Sequence, residues 1–109
     1  MNKELNGKPL EYKVVEELKK KKLVISTAES CTGGLLASCI VNVAGASSIF
    51  KEGYITYCDN AKIHMLGVRK ETLQTYYAVS RQTAIEMAEG CAKISGADIA
   101  ISITGVAGP

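Results

Sequence analysis

The 109-residue chain is 47% hydrophobic and 22% charged, enough for one compact core and too short for two domains. Thirteen Lys and Arg against eleven Asp and Glu leave a formal charge of +2, too small and too dispersed to mark a nucleic-acid surface or an anionic-membrane surface. No apolar stretch approaches the ~20 residues of a spanning helix and the N-terminus lacks a signal-peptide core, so the expected protein is soluble and cytoplasmic.

In chain order, Leu10, Val14, Val15 and Leu18 recur at helical spacing between acidic residues, and Pro9 suits the start of that helix. Lys19 to Lys22 fall at its C-terminal end, where cations complement the helix dipole; a nucleic-acid patch is the weaker reading of this run. Leu23, Val24 and Ile25 read as a buried strand, followed by a loop of small and polar residues from Ser26 to Gly34. Leu35 to Val41 is apolar nearly all round, which predicts a buried helix starting near Thr32 or Gly33. Ile49 to Cys58 is rich in β-branched and aromatic residues and predicts a second strand. Asp59 or Asn60 caps a short helix through Leu66, ended by Gly67, and another helix from Glu71 to Tyr76 follows. Ser80 caps a helix reaching about Ile94, stopped by Gly96, whose small face of Ala84, Ala88, Cys91 and Ala92 suits close packing on a sheet. Ile99 to Ile103 is a last buried strand, opening into Thr104-Gly105-Val106-Ala107-Gly108-Pro109.

Strands alternating with helices predict an α/β protein with helices on both faces of the sheet. The pattern leaves the direction of the middle strand open, and a mixed sheet is the expectation. A central strand that opens into a glycine-rich loop at the last residue suggests a domain that continues beyond it. Cys31, Cys39, Cys58 and Cys91 show no C-x-x-C pair, which disfavours a zinc site or a disulfide scaffold and predicts reduced, mostly buried thiols with no metal and no cofactor.

Ligands of open α/β sheets bind beyond the carboxyl ends of strands, and two glycine-rich loops, Ala28 to Gly34 and Thr104 to Gly108, both follow buried strands. The helix start after the first loop suits an anion, and Gly33 and Gly34 permit close approach; alternatively they only let the helix pack near the sheet. Ser30 stands where a strand-to-helix turn would expose a hydroxyl, although the string lacks G-x-S-x-G. The one histidine, His64, reads as an ordinary helix residue. Lys62 is the better base, because amines withdrawn from water give up a proton more readily. Tyr57, at the strand end, is placed to bridge the pair through a hydrogen bond; a solvated lysine and a core-capping tyrosine are the plainer alternatives. Cys31 is a rival nucleophile if it sits at a helix N-terminus. Glu29 either orients Lys62 or a substrate group, or complements the helix start, and Thr104 either donates to a ligand or bonds its own turn.

The strings Ala28-Glu29-Ser30-Cys31-Thr32-Gly33-Gly34-Leu35-Leu36, Gly53-Tyr54-Ile55-Thr56-Tyr57 with Lys62, Ala78-Val79-Ser80, Met87-Ala88-Glu89-Gly90 and Ile103-Thr104-Gly105-Val106-Ala107-Gly108-Pro109 together closely resemble the C-terminal domain of the CinA (competence/damage-inducible) family. The resemblance runs from about Lys19 to Pro109. It implies a three-layer α/β/α domain, commonly a homodimer or higher homo-oligomer, that hydrolyses the carboxamide of nicotinamide mononucleotide to nicotinate mononucleotide and ammonia. On it, Ser30 is the catalytic serine with Lys62 and Tyr57 as partners, and Glu29, Cys31, Thr32, Gly33, Gly34, Thr104, Gly105 and Gly108 are expected on the substrate side. The chain departs from the family in carrying Tyr77 where a glycine is usual before Ala78-Val79-Ser80. It also ends before the family's further strand, helix and phosphate-holding basic residue, and has no large N-terminal domain. The implied domain is therefore incomplete at its C-terminus and of the stand-alone form. The competing readings are a non-catalytic nucleotide-binding or interaction module and, third, a thiol enzyme using Cys31.

Overall fold

A computed structural model of the chain describes residues 4–5 and 7–106. A two-stranded antiparallel ribbon, β1 (Glu4–Leu5) and β2 (Lys8–Pro9), leads into helix α1 (Leu10–Lys21). The ribbon is invisible in the sequence pattern because strands of two residues are too short to show alternation. There follow β3 (Ile25–Glu29), α2 (Leu35–Val41), a 3-10 turn (Ala46–Ser48), β4 (Phe50–Ile55), α3 (Asp59–Leu66), α4 (Lys70–Tyr76), α5 (Arg81–Ser95) and β5 (Ile99–Ile103).

The main sheet has the order β4-β3-β5 and both of its pairings are parallel. This corrects the expectation of a mixed sheet: each strand is followed by helical chain that returns it to the same direction. The register sets Glu29 beside Ile55 on one side and Ile103 on the other. Between Ile25 and Thr27 it shifts, and β4 carries one extra residue there. Ser26 answers the irregularity by donating its hydroxyl to the Glu52 carbonyl at 2.7 Å.

Side chains of β3 alternate between two apolar clusters, which makes the fold three layers. Ile25 packs with Val15 and Leu18 of α1, Ile40 of α2, and Ala46 and Ile49. Ala28 faces the other way, into Leu66, Val68, Leu73, Met87 and Cys91 from α3, α4 and α5. All five residues of β3 are buried, so the strand's small and polar members reflect close cover on both faces. The strand therefore starts at Ile25 and not at Leu23. Leu23 closes α1 through its N–H to the Leu18 carbonyl, and the Val24 N–H bonds the Asp98 carboxylate.

Helix α2 begins at Leu35, later than the sequence suggests, because Gly33 and Gly34 have φ of +61° and +104°, outside the right-handed helical region. Only Ile40 of α2 is buried, while Leu35 and Val41 are exposed, so the helix is not the enclosed one its composition suggests. The cysteines are free, but only Cys91 is buried; Cys31 and Cys39 are half-buried and Cys58 is exposed. Helix α5 matches its expected signals, with Ser80 Oγ accepting from the Thr83 N–H and Gly96 left-handed at its end. No helix among the described residues is long and apolar enough to cross a membrane.

Helices α3 and α5 meet at Gly90, where an added Cβ would lie 1.9 Å from the Leu66 carbonyl oxygen. Backbone cannot swing aside as a side chain can, so Gly90→Ala must separate the two helices. The expected loss is about 3 kcal/mol of stability, read as a lowered urea midpoint with an unchanged slope.

Candidate active site

Three strand ends meet at one edge of the sheet. Ser30 follows β3 and Thr104 follows β5, while Tyr57 lies two residues beyond β4. The ladder runs one step past the strands: the Ser30 N–H bonds the Ile103 carbonyl at 2.9 Å, and the Thr56 N–H bonds the Glu29 carbonyl at 2.8 Å. Helix α3 then turns Lys62 back over these ends. The result is a cavity of about 220 Å³ lined by Ser30, Cys31, Tyr57, Asp59, Lys62, Ala78, Thr104 and Gly105.

Lys62 is only 1% exposed. Its Nζ lies 3.0 Å from Ser30 Oγ, 3.0 Å from the Thr56 carbonyl and 3.4 Å from the Tyr57 carbonyl. No carboxylate among the described residues pairs with it. The two carbonyls can only accept, so they take N–H bonds from Nζ, and the third position faces the serine. With three protons Nζ donates to Ser30 Oγ; with two it presents its lone pair to the serine O–H. In the first state the Tyr57 carbonyl, 3.4 Å from Ser30 Oγ, takes the serine proton. The Tyr57 link to the pair is thus made by its main-chain oxygen, while the residue itself is 70% exposed.

Adjacent residues of an extended strand point to opposite faces, and Glu29 accordingly turns away from Ser30. Its carboxylate accepts from Thr32 Oγ1 at 2.7 Å and from the Leu36 and Ala37 N–H groups at 2.9 Å each. Burial pushes the Glu29 pKa up, but these hydrogen bonds outweigh burial and hold it below the ordinary carboxylate value. Glu29 and Thr32 therefore fasten the Ser30 turn to α2 and are not among the residues lining the cavity. Gly33 and Gly34 line a separate hollow with Thr27 and Gly53 and are not among the residues lining the Ser30 cavity. The helix-start N–H groups that suited an anion are already used by Glu29.

Thr104 and Gly105 do line the pocket, the former donating its hydroxyl to the Ala78 carbonyl at 2.8 Å. Gly105 sits close to Cys31, whose Sγ would be 3.3 Å from an added Cβ. Cys31 lies four residues before α2, so the helix-start premise for a thiol nucleophile fails. Gly108 lies outside the described residues. His64 lines a different hollow with Arg69, Glu86 and Lys93. Asp59 and Ala78 are pocket residues that sequence reasoning missed. For Asp59 a signal existed, since it precedes Lys62 by one helical turn and shares its side of α3.

Ala78 is held by a strained neighbour. Tyr77 has φ +66° and ψ 176°, a conformation almost reserved for glycine. The strain is maintained because its carbonyl accepts from Ser80 Oγ at 3.0 Å and Thr83 Oγ1 at 2.7 Å, locking the turn at the start of α5.

Comparison with known proteins agrees with the α/β fold. The family model described as CinA C-terminal domain matches residues 7–109. A CinA-like protein of Kosmotoga olearia is 63% identical over 100 residues, which are 92% of this chain and 24% of that protein. A CinA-like protein of Chloroherpeton thalassium is 55% identical over 101 residues, 93% of this chain and 24% of that one. The crystal structure of the competence/damage inducible protein CihA from Agrobacterium tumefaciens superposes with a TM-score of 0.90 at 47% identity, covering 92% of this chain and 61% of that one. The chain thus spans about a quarter of the length of these curated relatives and about three fifths of that solved chain.

Two outcomes follow from the turn and its anchor. Glu29→Ala leaves Thr32 and two helix-start N–H groups without their acceptor and is expected to cost about 2 kcal/mol or more, measured by chemical denaturation. Because the pKa of folded Glu29 is lowered, its contribution is complete above the ordinary carboxylate range and is lost as pH falls through the lowered value. Glu86, lowered by the Arg69 N–H, Thr72 and the Arg69 guanidinium against the effect of burial, acts with the same sign. Glu29→Gln should therefore flatten, without abolishing, the acid limb of a stability-against-pH curve. At the other wall, Tyr77→Gly relieves the strain and is expected to raise stability by about 1 kcal/mol, read from the denaturation midpoint.

Proposed function

The chain belongs to the CinA C-terminal domain family, and from that membership we propose that its pocket is the active site of a serine amidohydrolase acting on nicotinamide mononucleotide. The observation that carries the reading is the buried contact of 3.0 Å between Lys62 Nζ and Ser30 Oγ, with no carboxylate on the lysine among the described residues and two carbonyls fixing its other donors. That arrangement is what a serine nucleophile with a lysine base requires. The cavity of about 220 Å³ over the pair suits a flat carboxamide-bearing ring.

In the proposed reaction Lys62, as the neutral amine, accepts the serine proton while Ser30 Oγ bonds to the carboxamide carbon. The resulting oxyanion is held by a backbone N–H of the turn after Ser30, a donor typically worth ~2.7–4 kcal/mol in such reactions. The amides of Leu36 and Ala37 are bonded to Glu29, that of Gly33 to the Ser30 carbonyl and that of Leu35 to the Thr32 carbonyl. Of the remaining residues of the turn after Ser30 it is Cys31 that lines the cavity, so its amide is the proposed donor. Collapse of the tetrahedral species breaks the C–N bond as Lys62 delivers its proton to the leaving nitrogen, and ammonia departs. Water then attacks the Ser30 ester, Lys62 takes its proton, and the acid is released as the proton returns to Ser30 Oγ. Tyr57 and Thr104 line the cavity that the ring of the substrate enters in this reading.

Ammonia release from nicotinamide mononucleotide tests the reading. Activity is expected in the parent chain, with losses of about 10³-fold or more in Ser30→Ala and about 10²–10⁴-fold in Lys62→Met, which keeps the buried volume but no base. Trapping of an ester on Ser30 by rapid-quench mass spectrometry would establish the covalent route. Nucleotide binding without ammonia release would replace the amidase with a binding module.

A further inference from the structure

Side chains alternate along β3, so Thr27 and Glu29 share one of its faces while Ser26, Ala28 and Ser30 take the other. On the Thr27 face, between β4 and the start of α2, lies a hollow of about 250 Å³ lined by Thr27, Glu29, Gly33, Gly34, Gly53 and Ile55, among others. It shares no lining residue with the Ser30 cavity. Thr27 is 0% exposed, and its hydroxyl has no hydrogen-bond partner among the described residues. Buried hydroxyls of folded proteins are nearly always bonded, because leaving one bare forfeits its hydration without return. Gly53 stands opposite Thr27 in the ladder, and a Cβ added to it would lie 2.7 Å from Thr27 Oγ1. The hydroxyl thus lies against the space that a side chain on β4 would have filled. The other buried hydroxyl without a partner among the described residues, Thr56 Oγ1, belongs to a residue that lines neither cavity.

The lining decides what kind of partner fits. It includes no Lys, Arg or His, and its one charged group is the Glu29 carboxylate, which disfavours an anion. The fitting molecule is small, accepts from a hydroxyl and donates to a carboxylate, and water does both. Residues two apart on a strand are separated by about 6.6 Å, and a water bonded at ~2.8 Å to each of two oxygens spans up to about 5.6 Å. One water, or two in file, therefore joins Thr27 to Glu29. We propose that this hollow is a hydration site, in which ordered water accepts the Thr27 hydroxyl proton and donates to the Glu29 carboxylate. That water belongs to the same buried network through which Glu29 and Thr32 tie the Ser30 turn to α2. The site is independent of the amidase reading.

The test is a crystal structure of the whole chain fine enough to show ordered water, beside urea denaturation of two variants. Solvent density is expected within hydrogen-bond distance of Thr27 Oγ1, retained in Thr27→Ser and absent in Thr27→Val. Thr27→Val keeps the shape of the side chain and removes its hydroxyl, so the sign of its effect separates the two cases. With water bonded there, the midpoint falls by roughly 0.5 M. With the hydroxyl bare, a methyl group replaces it to advantage and the midpoint rises. Thr56→Val supplies the reference for a bare hydroxyl, and its midpoint is expected to hold or rise. No density at Thr27, density of a molecule other than water, a rise in Thr27→Val, or an equal fall in both variants would overturn the proposal. If Thr27→Val does not fold, the density in the parent chain decides alone. Neither readout involves ammonia release, so this inference and the amidase reading fail separately.

Discussion

The backbone bonds from Ser30 to Ile103 and from Thr56 to Glu29 carry the parallel ladder just beyond the strands. Everything chemically notable in the molecule depends on that alignment. In a parallel sheet every strand delivers its carboxyl end to the same edge. Ser30, Tyr57 and Thr104 are separated by 27 and 47 positions in the chain yet reach one small cavity. Were β4 reversed, Tyr57 would sit at the far edge and the Thr56 and Tyr57 carbonyls could not engage Lys62. The parallel direction of β4 thus also sets where α3 starts, and so where the lysine falls.

The alternation of β3 divides the work between neighbours. Glu29 faces α1 and α2, where its carboxylate gathers a hydroxyl and two N–H groups, while Ser30 faces the α3 side and meets Lys62. A fixed anchor on one side and a free hydroxyl on the other is a plain consequence of period two in extended chain. The wall opposite is set less comfortably. Tyr77 is held left-handed by bonds from Ser80 and Thr83, and the next residue, Ala78, both lines the pocket and accepts from Thr104. Capping of α5, pocket shape and local strain are therefore joined within four residues.

Much of this was legible beforehand because it depends on local chemistry. Helix α5 is announced by Ser80 and Gly96, the end of α3 by Gly67, and β5 by an apolar run of matching length, whereas the cap of α3 falls on Cys58 and not on Asp59 or Asn60. Other readings failed for physical reasons that lie outside any short window. Ser26 and Thr27 look like loop residues, yet they are strand because helices cover both faces closely and leave room only for small side chains. Helix α2 looks enclosed by composition, but Leu35 and Val41 end up exposed because the residue facing the core is Ile40. For Glu29 the sequence leaves open whether it faces Lys62 or the helix start, and the extended backbone decides it by sending Glu29 and Ser30 to opposite faces.

What the sequence by itself determined is therefore the inventory: an α/β chain, the order of its larger elements, the cap and stop of α5, and the pairing of a serine with a lysine as the chemistry on offer. Those follow from periodicity, capping and side-chain type, which act within a few residues. Only the tertiary structure decided that all strands run in parallel and that Lys62 is buried against two carbonyls. It decided too that Tyr57 contributes its backbone there, and that Asp59 stands over the same cavity. Those facts depend on hydrogen bonds and packing between segments dozens of residues apart, and no local pattern encodes which of them will meet.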